Sequence, residues 1–142
     1  MSIMDRLKSL LGKKPPKADT TELIYIYLPE ALQPIERGDR YDDPLDADLQ
    51  LRGLGCVSGG GTQMGDELPD GSRRIESCSV DVDATNVAAA RVFLRQELPL
   101  LGCIRGTQLW YREHDVPLMD AFDGTTWLTD QARDDLHPGF EF

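Results

Sequence analysis

Cysteine and histidine are scarce in this chain of 142 residues. The three cysteines, Cys56, Cys78 and Cys103, are odd in number and no two form a CxxC. That excludes a disulfide framework and a tetrahedral zinc site, and it fits reduced, mostly buried thiols in a cytoplasmic protein. Of the two histidines, His114 lies past a strand end and His137 is isolated, and nothing in the spacing brings either to a serine or cysteine nucleophile. No catalytic constellation is therefore legible, and the reading leans away from an enzyme. No cofactor or metal motif is present either. No apolar run reaches the roughly eighteen residues of a spanning helix. The N-terminus lacks the unbroken apolar stretch and small-residue cleavage site of a signal peptide. Basic residues are few, 15 Lys and Arg against 25 Asp and Glu, for a net charge of −10. That balance argues against nucleic acid, whose binding is dominated by Lys and Arg contacts to phosphate.

What is present fits one globular domain: 40% hydrophobic and 28% charged residues over a length that holds one core. The charge is uneven. Residues 1–17 carry Arg6, Lys8, Lys13, Lys14 and Lys17 against Asp5, a surplus of four positive charges. Residues 113–142 carry eight acidic residues against Arg133, a surplus of seven negative ones. Ile3, Met4, Leu7, Leu10 and Leu11 have helical spacing, and Lys13 to Lys17 read as a linker. This splits the chain into an amphipathic helix and linker (1–20), a central domain (21–112) and an acidic extension packed on it (113–142).

Within the central domain, Thr21 to Leu28 reads as a strand, rich in β-branched and aromatic residues. Asp43-Pro44 reads as the N-cap and first turn of a short helix that Gly53 and Gly55 end. A glycine-weakened strand follows from Cys56 to Gln63, then a hairpin loop over 65–72. Arg74 to Asp83 alternates as a strand, with Cys78, Val80 and Val82 on one face. Thr85 or Asn86 caps a helix limited by Pro99, and Thr107 to Arg112 is a last strand. The order predicts a ferredoxin-like βαββαβ α+β domain, an antiparallel sheet with both helices on one face.

The runs Glu36-Arg37-Gly38-Asp39-Arg40-Tyr41-Asp42-Asp43-Pro44-Leu45, Gly53-Leu54-Gly55-Cys56-Val57-Ser58-Gly59-Gly60-Gly61-Thr62 and Gly106-Thr107 resemble a pattern, ERGxRYxDPL, GLGxVxGGGT and GT, of small uncharacterised bacterial proteins. The resemblance covers about residues 21–112. It supports those limits and carries no activity.

Three functional surfaces follow. Glu36, Asp39, Asp42, Asp43 and Asp46 form an acidic stretch suited to a basic protein partner, in the manner of an immunity or inhibitor protein; helix capping and local ion pairs are the plainer account. Gly59, Gly60, Gly61 and Thr62, with Tyr25, Tyr27 and Asp81 on the open sheet face, suit a small ligand or an enzyme site; a twisted strand crossed closely by another segment is the plainer account of the glycines. The open face also offers a homodimer contact, or a seat for the chain's own Phe122 and Trp127. Residues 1–17 have the composition of a helix lying weakly on an anionic membrane, which would make this cytoplasmic protein peripheral to the inner membrane.

Overall fold

The computed structural model describes residues 21–133. The N-terminal helix and linker expected over 1–20, with their membrane contact, lie outside the described residues, as do residues 134–142.

Six strands form one sheet: β1 (Glu22–Leu28), β2 (Gly55–Glu67), β3 (Arg73–Ala84), β4 (Gln108–Glu113), β5 (Val116–Phe122) and β6 (Trp127–Ala132). Their order is β2-β3-β1-β4-β5-β6, and every pairing is antiparallel. Helix α1, residues 34–51, joins β1 to β2, and helix α2 (Val87–Leu100) joins β3 to β4. This corrects the expected ferredoxin-like βαββαβ domain with its helices on one face. The sheet has six strands, it dominates the chain, and residues 116–132 supply two of the strands. Asp120, Asp123 and Asp130 make that segment read as an acidic tail, yet Asp120 is fully buried in the structure. Phe122 and Trp127 pack on each other, ring centroids 5.0 Å apart, and Trp127 Nε1 donates to the Arg95 carbonyl of α2. They sit on the core side of the sheet, not on the opposite face expected for them.

Alternation explains the core. Ile24, Ile26 and Leu28 of β1 are fully buried, and Val80, Val82 and Leu109 join them from the neighbouring strands. Leu45 and Leu49 of α1, and Ala90, Leu94 and Leu98 of α2, present their four-residue spacing to the same cluster. Each of the valines, isoleucines and leucines contributes about 1.5–3 kcal/mol relative to exposure. At the start of α2 the Asn86 side chain accepts from Ala89 N–H at 3.0 Å, as an N-cap should.

Helix α1 begins earlier than Asp43-Pro44 suggests. It runs as α-helix over Pro34–Arg37, as π-helix over Gly38–Asp42, and as α-helix again over Asp43–Leu51. Pro44 has no N–H to give and its ring crowds the carbonyl four residues back. The wider π turn accommodates it, with Asp43 N–H reaching the Gly38 carbonyl. Asp43 is thus inside a helix and not at its cap.

Strands β4 and β5 are joined by only two residues, His114 and Asp115, both with positive φ (51° and 65°). A left-handed pair suits the twist of a tight hairpin but strains any residue other than glycine, asparagine or aspartate. His114→Asn, which places a residue suited to positive φ where histidine stands, is expected to stabilise the protein by roughly 0.5–1 kcal/mol. A higher urea midpoint at unchanged slope is the result that checks it.

Candidate functional site

The face opposite the core is ordered by strand register. One row crosses the sheet from Gly59 through Asp81 and Tyr25 to Trp110; the next runs from Gly61 through Ser79 and Tyr27 to Gln108. One side of each row is aromatic or amide, the middle is hydroxyl or carboxylate, and the β2 side has no side chain. The result is a groove of about 520 Å³.

Tyr25, Tyr27 and Trp110 build its wall. The Trp110 ring lies 5.0 Å from that of Tyr25, tilted by 43°, and 6.3 Å from that of Tyr27, nearly parallel at 15°. Trp110 Nε1 donates to Gln108 Oε1 at 2.7 Å, which fixes the indole. The Arg133 guanidinium stands over the Trp110 ring at 5.1 Å. Ser77 and Ser79 form the floor and are buried, with Asp81 beside them. Burial raises the Tyr25 hydroxyl above its ordinary range, partly offset by a hydrogen bond with Ser79, while nearby Asp81 raises it further. Cys78 borders the groove, and burial pushes its thiol up, which suppresses the thiolate a nucleophile needs.

The three glycines serve two faces. A Cβ on Gly59 would stand 3.5 Å from Asp81 Oδ2, and one on Gly61 3.2 Å from Ser79 Oγ, so β2 puts no side chain against either group. A Cβ on Gly60 would lie 2.8 Å from Arg37 Cζ and 2.7 Å from the Ser79 carbonyl. Arg37 comes from α1, and its Nη1 donates to the Gly61 carbonyl at 3.0 Å. It also pairs with Asp42 at 3.3 Å, five residues on, the spacing a π turn brings together.

Gly60, Gly61, Thr62, Tyr25, Tyr27 and Asp81 therefore line one groove, with Gly59 paired to Asp81 at its rim. The five acidic residues of α1 do not converge. Glu36 accepts from Gln33 N–H and caps its own helix. Burial pushes the Asp42 carboxyl up while Arg37 opposes the shift. Asp46 accepts from Val57 N–H of edge strand β2 at 2.9 Å. Only Glu36, Asp39 and Asp43 of the five are exposed. Arg37 and Asp46 together cover outward backbone groups of β2, a way of protecting a sheet edge from foreign strands. The neighbouring Arg40 pairs with Glu30 at 2.9 Å, and buried Tyr41 donates to the same carboxylate at 2.6 Å. Much of the run from Glu36 to Asp46 thus anchors α1.

A second polar cluster lies between α2 and strands β4 to β6. The buried Asp120 carboxylate accepts from Arg91 Nε (2.9 Å) and Nη2 (2.7 Å), Arg95 Nη1 (2.8 Å), Tyr111 hydroxyl (3.3 Å) and Asp130 N–H (3.0 Å). The single Tyr111 hydroxyl proton is shared with Asp130, the nearer of its two acceptors, and Arg91 lies 3.8 Å over the Tyr111 ring. Burial raises the Tyr111 hydroxyl, and donation to Asp130 raises it further. Asp130 occupies a bulge with φ +55°, which aims its side chain inward. Its acids and bases already satisfy one another, so the cluster is structural. The sequence reading missed it, because its members lie up to 39 residues apart.

Among the described residues no group of three His, Cys, Asp or Glu side chains could hold a metal ion, and no helix is long and apolar enough to cross a membrane. The chain matches no family model, no curated protein and no solved structure.

Proposed function

We propose that this protein is a non-catalytic binding protein whose open sheet face receives a basic segment of a protein partner, as an immunity or inhibitor protein would. The observation that carries this reading is the row Asp81–Tyr25–Trp110, a carboxylate beside aromatic faces in a preformed groove. Aromatic faces attract cations, and more so where water is partly excluded. The net charge of −10 favours the same class of partner and speeds its encounter. A second copy on this face would set the same acidic groove, with Asp81 and Glu76 on its lining, against itself, so charge disfavours a homodimer there. The exposed Glu36, Asp39 and Asp43 extend the acidic surface. Three free thiols, two of them buried, accord with a cytoplasmic setting.

The test is retention of a basic protein from the source lysate by the tagged chain at low and moderate salt, compared with Trp110→Ala and Asp81→Asn. A basic protein retained stoichiometrically, weakened by salt and lost from both variants, is the expected result. Retention that ignores both substitutions overturns the reading. Failure to retain any protein, with a small molecule co-purifying instead, favours the alternative that the same groove holds a small ligand.

A further inference from the structure

Helix α2 is apolar on two sides. Ala90, Leu94 and Leu98 face the core, while Ala88, Val92, Gln96 and Leu100 are exposed at a four-residue spacing, with part-buried Ala89 and Pro99 beside them. Its charged residues lie elsewhere. Arg91 is buried, Arg95 turns aside to Asp120 at 2.8 Å, and Glu97, one turn on from buried Phe93, stands at the margin. The outward face is substantial, for Val92 is 47% and Leu100 80% exposed. A surface helix ordinarily turns charged residues to water, and one that is apolar on its outer side as well is ordinarily covered.

We propose that a second copy of this chain covers it: two molecules meet through α2, antiparallel, about a two-fold axis passing beside Leu94. The stripe is self-complementary under that operation. It is small at its start and large at its end. Leu100 of one copy therefore falls on Ala88 of the other, Pro99 on Ala89, and Val92 on Gln96. Charge selects the same face. Two copies of net charge −10 repel each other. The groove carries Asp81 and Glu76, and α1 carries the exposed Asp39 and Asp43. Helix α2 offers a neutral surface instead. It lies on the core side of the sheet, so a pair joined there keeps both grooves exposed and pointing away from each other. The contact is small. The 14 residues of α2 span about 21 Å. One such face falls short of the roughly 800 Å² per partner of a standard interface, which sets a dissociation constant of about 10–100 µM.

The experiment is sedimentation velocity on the full chain over roughly 5–500 µM, a range that brackets the expected constant. The native chain is expected to pass from monomer to dimer across it. Leu100→Glu should raise the dissociation constant at least ~10-fold, with an unchanged urea midpoint because Leu100 is exposed. Added salt should strengthen the dimer by screening the repulsion between copies, the opposite of its effect on a basic partner. The register has its own test. Val92→Lys with Gln96→Lys, and Val92→Glu with Gln96→Glu, should each be monomeric alone and should associate when mixed, because the two-fold sets residue 92 against residue 96. A native chain that stays monomeric throughout overturns the inference and gives the face to another occupant, a different protein or another part of this chain. Self-association that ignores Leu100→Glu places the contact elsewhere and overturns the assignment to α2. Charge variants that fail to associate on mixing overturn the antiparallel pairing.

Discussion

Asp120→Asn is expected to destabilise the protein by about 3–5 kcal/mol, the cost of removing one partner from a buried ion cluster. The amide keeps the shape of the carboxylate but not its charge. It offers one acceptor oxygen where Arg91, Arg95, Tyr111 and the Asp130 N–H now share two. Arg91 and Arg95 would keep their charges on side chains that are 11% and 22% exposed. Strand β6 should loosen first, because beyond Trp127 and the Asp130 contacts its side chains are exposed. Burial acts to raise Asp120, but hydrogen bonds from Arg91, Asp130 N–H and Arg95 outweigh it and hold the carboxyl below its ordinary range. The folded pKa is thus below the unfolded value of about 3.9. The folded state binds fewer protons there. The stabilisation is complete above the unfolded value and is lost as pH falls through the folded one. Urea unfolding from pH 7 downward should therefore show an acid-side loss in the native protein that is smaller in Asp120→Asn. A variant within 1 kcal/mol of the native protein at pH 7, or one with the same acid slope, would remove the keystone role given to Asp120.

How much of this was legible depended on whether the signal was local. The alternation of Ile24, Ile26 and Leu28 with Tyr25 and Tyr27 is a property of consecutive residues, and it placed the two sets on opposite faces. The strand from Arg74 to Asp83 and the cap at Asn86 are local in the same sense. The register that puts Gly59 beside Asp81 is not, yet both residues drew notice alone, one by its lack of a side chain and one by its place in the alternation. The sixfold sheet was hidden because a buried carboxylate and a solvated one look identical in sequence. What neutralises Asp120 lies 25 and 29 residues away, in two helix arginines that sequence alone cannot tell from solvated ones. Helix α1 was hidden differently. Pro34, Gly38 and Pro44 are turn residues by composition, and only the π segment lets a helix pass through them. The acidic run of α1 likewise read as free charge, whereas Asp42 and Asp46 are spent on Arg37 and on the backbone of β2.

Gly60→Ala should cost about 2–3 kcal/mol, the upper part of the range for a group forced into occupied space. Its Cβ would fall 2.7 Å from the Ser79 carbonyl and 2.8 Å from Arg37 Cζ and Nη2. The two clashes differ in kind. Ser79 belongs to the adjoining strand β3 and can yield only if the β2–β3 pairing shifts. Arg37 can swing away, but it then gives up Gly61 and leaves half-buried Asp42 without its guanidinium. Arg37→Ala alone should cost roughly 1–3 kcal/mol for those lost partners. In the double variant the alanine no longer meets a guanidinium, so the loss should be smaller than the two single losses together by 1 kcal/mol or more, as expected for residues in contact. Simple additivity in urea unfolding would mean that Ser79 alone dictates the glycine. The same cycle reaches the groove, because Arg37 fixes the carbonyl of Gly61 and Gly61 forms the open wall facing Tyr27. Gly60→Ala should therefore weaken binding of a basic segment even where it leaves most molecules folded, while His114→Asn, at the far hairpin, should leave that binding unchanged.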